Sequence, residues 1–189
     1  MKSFLNWKMG LALVIIVLAA LSRVVPHIWN FTPIAAMALF GAAYFPKKWY
    51  AVIIPFAAMW LSDLYLINAV YAPMYPDYYG EGFHFFGVGS VYLSFLIIAG
   101  IGFLLLRKVS LMNLIGASLL GSIAFFLITN AGSWLSSPAY TKDFAGLMAS
   151  YTAGLPFFRY TVMGDLFYVG LLFGSFELVK YIAKKPQMA

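Results

Sequence analysis

Six apolar runs, separated by prolines, glycines and paired basic residues, predict six transmembrane helices at about 8–25, 33–45, 49–71, 88–106, 111–134 and 156–182. The first run stops at Pro26, a residue with no N–H to extend a helix, and HIWNFTPI links it to the second. The second run is short and rich in small residues (AAMALFGAA), with Ala38 and Ala42 one turn apart, so a neighbouring helix can approach closely there. The third contains Pro55, Asp63 and Asn68; the fourth ends in Arg107 and Lys108; the fifth carries a polar tail of Thr129, Asn130, Ser133 and Trp134. Two irregular segments break the series. One is residues 71–90, YAPMYPDYYGEGFHFFGVGS, and the other is residues 135–158, LSSPAYTKDFAGLMASYTAGLPFF, which leads into the last helix. No low-complexity tract and no repeat at a fixed period is visible.

Composition turns this pattern into an all-α membrane protein, a single integral-membrane domain over residues 1–189. Of the chain, 63% is hydrophobic and 10% charged, and its mean hydropathy is +0.89, values that a water-soluble core of this size does not need. The absence of cysteine excludes disulfides, thiolate nucleophiles and thiolate metal sites. A net charge of +6 would suit nucleic acid, but the basic residues are spread between apolar runs, where they set topology instead. Lys2, Lys8, Lys47, Lys48, Arg107, Lys108, Lys180, Lys184 and Lys185 fall on one side, and Arg23, Lys142 and Arg159 on the other. Both termini are therefore expected in the cytoplasm, with the long aromatic links outside. Lys2 and Lys8 ahead of an apolar run resemble a secretory signal, but the charge alternation requires this run as a retained first span.

The outer links carry the candidate chemistry. Tyr71, Tyr75, Tyr78, Tyr79, Phe83, Phe85 and Phe86 lie in one of them, joined by Trp29, Trp134, Tyr140, Tyr151, Phe157 and Phe158 from elsewhere on that side. Such a set can wall a pocket for a flat or bulky organic ligand, or form the aromatic belt of a membrane interface. His84, between Gly82 and Gly87, can ligate a metal, donate a hydrogen bond or simply be solvated. His27, Asp77 and Glu81 add no spacing that would build a zinc site with it. Within the spans, Asp63, Arg159 and Asp165 call for partners because an isolated charge in hydrocarbon is costly. Asp63 is expected to pair with Arg23 or Arg159 in a structural ion pair, Asp165 similarly, and Glu177 is close enough to pair with Lys180. There is no GxSxG, no P-loop and no phosphate-cradling glycine run, so no enzyme activity and no ATP hydrolysis is expected of this chain itself.

NFTPIAAMALFGAAYF, AAMWLSD, the GFHFF loop, FFLITNAGSWL and GLPFFRYTVMGDLFY together resemble the substrate-binding S-components of energy-coupling-factor vitamin transporters, nearest the solitary vitamin B12 group. The resemblance covers nearly the whole chain. It implies an S-component-like bundle in the bacterial cytoplasmic membrane that binds cobalamin or a related corrinoid from outside, with no intrinsic cofactor. Where the B12 group places a cysteine below the corrinoid cobalt, this chain has no cysteine and His84 is the residue in the corresponding loop able to bind the metal, so thiolate-assisted removal of the upper cobalt ligand is not expected. The remaining ligand contacts implied are Tyr75, Tyr78, Tyr79, Phe83, Phe85, Asn130, Trp134, Tyr140, Tyr151, Phe158 and Arg159. Docking on an energising module usually uses an Ala-x-x-x-Ala face on the first helix; here Ala12 is followed by Ile16, and the nearest such spacing is Ala38 with Ala42, which leaves solitary action open. Two alternatives remain: an S-component for another vitamin such as riboflavin, and a membrane enzyme or accessory subunit acting on a lipid-like substrate through Asp63, Asp165 and His84.

Overall fold

The computed structural model describes residues 2–25 and 30–183, with side chains from Trp7 onward. His27, Trp29, Lys184 and Lys185 lie outside the described residues. Those described are helical and contain no strand: α1 (Lys2–Ser22), α2 (Ile34–Tyr44), α3 (Lys48–Tyr65), a π-helical turn (Leu66–Tyr71), α4 (Ala72–Met74), α5 (Pro76–Tyr79), α6 (Gly89–Leu105), α7 (Leu111–Ser136) and α8 (Phe144–Ile182). Three stretches are long and apolar enough to cross a membrane: Lys48–Met74, in which α3 continues through the π-turn into α4, then α7 and α8.

The bundle is built around α2. Every residue from Ile34 to Gly41 is buried, and α1, α3, α6, α7 and α8 all pack against it. Its 11 residues rise only about 16 Å at ~1.5 Å per residue, half the hydrocarbon thickness, so α2 is an inner peg rather than an outer wall. Small residues allow that enclosure. A Cβ on Gly102 of α6 would come 2.7 Å from Cβ of Ala42, and one on Gly41 would come 2.8 Å from Cγ of Pro55 in α3. On the α8 side, Phe40 packs edge-on against Phe173 and Phe176. At the end where α8 finishes, Tyr44 donates to Glu177 at 2.8 Å, and Lys180 pairs with Glu177 at 2.6 Å.

The last helix begins earlier than the sequence pattern predicts. Residues 144–155 are helical rather than irregular, and α8 runs unbroken through Pro156. Asp143 starts it by accepting from the N–H of Gly146 at 2.7 Å, which satisfies one of the free donors of the first turn. The added turns pack on α7, where Ser150 donates to the carbonyl of Asn130 at 2.8 Å and Tyr151 to that of Leu127 at 3.2 Å. Only residues 137–143 connect α7 to α8. The indole of Trp134 closes this turn by donating to the carbonyl of Thr141 at 2.8 Å, and Lys142 donates to the carbonyls of Trp134 and Ser137.

Candidate functional site

Two neighbouring features occupy the end of the bundle that carries residues 71–90. The first is a buried polar knot beneath that loop. Arg23, Ser62, Asp63 and Tyr92 are each at most 9% exposed. The Arg23 guanidinium donates to Oδ1 of Asp63 at 2.6 Å, to Oγ of Ser62 at 2.5 Å and to the carbonyl of Met59 at 3.1 Å. Tyr92 donates to the other carboxylate oxygen of Asp63 at 2.7 Å. The Arg23 guanidinium and the Tyr92 hydroxyl thus hold a charge that would otherwise stand bare among apolar helices, and Ser62 in turn supports the arginine. Arg159, the other arginine offered as a partner for Asp63, lies exposed on α8, 4.6 Å from the ring centroid of Tyr160, whose hydroxyl it bonds at 2.7 Å.

The knot also anchors the loop. Tyr92 oxygen accepts from the N–H of Gly87 at 3.3 Å, and a Cβ at Gly87 would sit 3.2 Å from Asp63 Oδ2, so this position favours glycine. Trp60 donates to the carbonyl of Phe85 at 2.8 Å. Asn68, inside the π-turn, grips His84 through both of that residue's backbone groups. The π-turn is what the 3.6-residue pattern misses: one wider turn rotates Asn68 toward the loop, and such turns recur at functional sites. The backbone of residues 84–87 is therefore strapped down while Phe83, Phe85 and Phe86 remain more than 60% exposed. The His84 ring meets Tyr79 edge-on at 5.5 Å, and its Nε2 is buried with no hydrogen-bond partner. Burial pushes the Tyr79 phenol above its ordinary value, reinforced by Tyr78, Tyr71 and Asp63, so Tyr79 is a neutral neighbour for the imidazole. Tyr75 and Tyr78 are exposed as well.

The second feature is a cavity of about 430 Å³ between the start of α6, α7 and α8, lined by Asn30, Val88, Ser90, Val91, Phe125, Phe126, Thr129, Asn130, Ser133, Gly154, Phe157 and Thr161. Its walls alternate aromatic faces with hydroxyls and amides, and Oγ of Ser90 is buried there without a partner. Of the ligand contacts expected from sequence, Asn130 lines this cavity. Tyr151 and Phe158 stand behind it, stacked on Phe126 at 5.8 and 5.0 Å, while Trp134 is used in the α7–α8 turn that also holds Tyr140. Asp165 lies deeper on α8, only 4% exposed. Oγ of Ser122 on α7 lies 2.6 Å from its Oδ2, within hydrogen-bond distance. The aromatics of residues 71–90 do not wall the cavity. Ser90, Thr129, Phe125 and Thr161 do; of these the polar tail of the fifth apolar run signalled Thr129, with Asn130 and Ser133 beside it, and nothing in the sequence marked Ser90, Phe125 or Thr161.

Among the described residues no cluster of three or more His, Asp or Glu side chains can hold a metal ion by itself. The chain belongs to a family of unknown function, DUF6580, whose model matches residues 4–188. No curated protein and no solved structure matches it.

Proposed function

We propose that this member of DUF6580 is a multi-pass protein of the bacterial cytoplasmic membrane that takes up a vitamin from outside, first of all cobalamin or a related corrinoid. In this reading six helices cross the bilayer, both termini are cytoplasmic, and residues 71–90 face outward. Although α2 is too short to cross alone, the surrounding helices shelter its non-helical ends, and irregular backbone is tolerated at membrane depth when protein covers it. The observation that carries the ligand assignment is His84. Its backbone is fixed by Asn68 and its Nε2 has no internal partner, so an imidazole nitrogen is left for a metal that arrives within a ligand. The exposed rings of Tyr75, Tyr78, Phe83 and Phe85 surround it as apolar surface for a large ligand to cover. The sequence carries no P-loop. Ala42, one of the two alanines that could serve docking, packs against Gly102 inside the bundle, which favours solitary action over docking through that face.

A second reading draws on the cavity. Its 430 Å³ fall within the range of about 300–1,000 Å³ for small-molecule sites. Phe125, Phe126 and Phe157 beside Asn130, Thr129 and Ser133 would suit a flat, cobalt-free vitamin such as riboflavin. An enzyme using Asp63 as acid or base is less well supported, because both oxygens of that carboxylate are engaged by Arg23 and Tyr92.

The deciding experiment is the visible spectrum of protein purified from cells grown with a corrinoid, with calorimetric titration of cobalamin and cobinamide. Bound corrinoid whose spectrum changes in His84→Ala is the expected result. The absence of both corrinoid absorbance and heat would sink the corrinoid assignment, and heat with riboflavin alone would transfer it to the cavity.

A further inference from the structure

We propose that Asp165 is a proton-carrying site that loads and unloads through the cavity between α6, α7 and α8. Oγ of Ser122 lies 2.6 Å from Oδ2 of Asp165 and 3.1 Å from the carbonyl of Ser118. A serine hydroxyl has one hydrogen and cannot serve both acceptors. With a proton on Asp165, the carboxyl O–H donates to Ser122, and Ser122 passes its own hydrogen to the Ser118 carbonyl. Every contact is then made without a net charge. With Asp165 ionised, a single neutral donor would have to hold a carboxylate inside a membrane helix pair.

Among the described residues no cation offers an alternative. α7 carries no ionisable side chain along its whole length. On α2 the one ionisable group, Tyr44, is bonded to Glu177 at the far end of the bundle. On the described part of α1, Lys8 lies at that same end, beside Lys180. Arg23, just beyond α1, is committed to Asp63, and Arg159 on α8 itself rests on Tyr160. Also on α8, Tyr168 faces Ser22. Asp165 thus differs from Asp63, which lies in the same bundle but has an arginine.

The position supplies the route. Thr161, on the cavity wall, is one turn before Asp165 on α8, and Phe125, also on the wall, is three residues after Ser122 on α7. The Asp165–Ser122 pair therefore sits one helical turn under the cavity floor. Two buried hydroxyls lack partners: Ser118, one turn from Ser122 along α7, and Ser90, higher in the cavity wall against Gly132. Such groups can relay a proton by changing hydrogen-bond partners. The inference rests on the proposed uptake reading only in taking the cavity as the mouth that meets the outside.

Infrared spectroscopy of the protein in lipid vesicles tests it without a vitamin. At neutral pH the wild type should show the carbonyl stretch of a protonated carboxylic acid that Asp165→Asn lacks, shifted in frequency in Ser122→Ala. On transfer to D₂O the band should shift promptly, and more slowly when the cavity is filled in Thr161→Leu or, at its rim, Ser133→Leu. Circular dichroism confirms that each variant is folded. If Asp165→Asn removes no such band, or exchange ignores filling of the cavity in both variants, the proposal is overturned. A failure of vitamins to bind would leave these outcomes unchanged, so the two readings fail separately.

Discussion

Asn68 holds both backbone groups of His84: its Nδ2 donates to the His84 carbonyl at 2.9 Å, and its Oδ1 accepts from the His84 N–H at 2.8 Å. A side-chain amide matches a peptide unit in this way only when the two backbones are fixed side by side, and the π-turn provides that placement. The same Nδ2 also reaches the Leu64 carbonyl at 2.8 Å, which ties the loop to the body of α3.

Asn68→Leu should release the loop. Two partly buried backbone groups lose their partners, at a cost of about 1–3 kcal/mol each where water cannot replace them. Hydrogen exchange at residues 83–87 should rise while α7 and α8 stay protected, and any ligand response that needs His84 should weaken with it. Unchanged exchange in the loop would mean that Trp60 and Tyr92 suffice to hold it.

Breaking the Arg23–Asp63 pair should be far more costly than removing it. Asp63→Ala leaves a buried guanidinium facing Ser62 and Tyr92, and loss of one partner of such a pair costs about 3–5 kcal/mol. The double variant Arg23→Met, Asp63→Leu should recover much of that loss. Thermal unfolding in detergent distinguishes the two, and a double variant as unstable as Asp63→Ala would show that the charges themselves are required.

Gly132→Ala should narrow the mouth of the cavity. Its Cβ would lie 2.5 Å from Cβ of Ser90 and 2.6 Å from Oγ of Ser90, so α6 and α7 must part or Ser90 must turn. Overpacking of this kind costs about 1–3 kcal/mol. A vitamin bound in the cavity should lose affinity while the loop retains its exchange protection; equal affinity would place the ligand elsewhere.

How far the sequence speaks depends on whether a feature is local. The Arg23–Asp63 contact was legible because a charge in a span demands a partner and few were in range. Its other supports, Ser62 and Tyr92, were silent because serine and tyrosine are common in membrane helices. His84 stood out by composition, but its clamp did not, since nothing in LINAVY announces a π-turn and Asn68 finds its target 16 residues away. Asp165 was conspicuous as an acid and was expected to be ion-paired, whereas in the structure its described partner is an uncharged serine on the preceding helix. The start of α8 was misread for a specific reason. Gly154 and Pro156 signal a break, yet Gly154 is small because Asn130 presses against it, and the helix beyond is held by α7.

The true signal for that start was Thr141 and Asp143, and it makes the end of α8 sensitive to acid. The Gly146 N–H first, and the Thr141 hydroxyl second, hold the Asp143 carboxyl below its usual value of 3.8. A group whose value is lowered by folding stabilises the fold when ionised. That contribution is complete above the unfolded value and fades as the pH drops through the lowered folded one. The first turn of α8 should therefore lose exchange protection at Gly146 as the medium is taken below about pH 4, ahead of the helix interior. Asp143→Asn keeps an oxygen for the cap but cannot titrate, so it should flatten this dependence while leaving the helix start at Phe144. If acid opens the turn equally in that variant, the response belongs to another group, and the cap is set by shape alone.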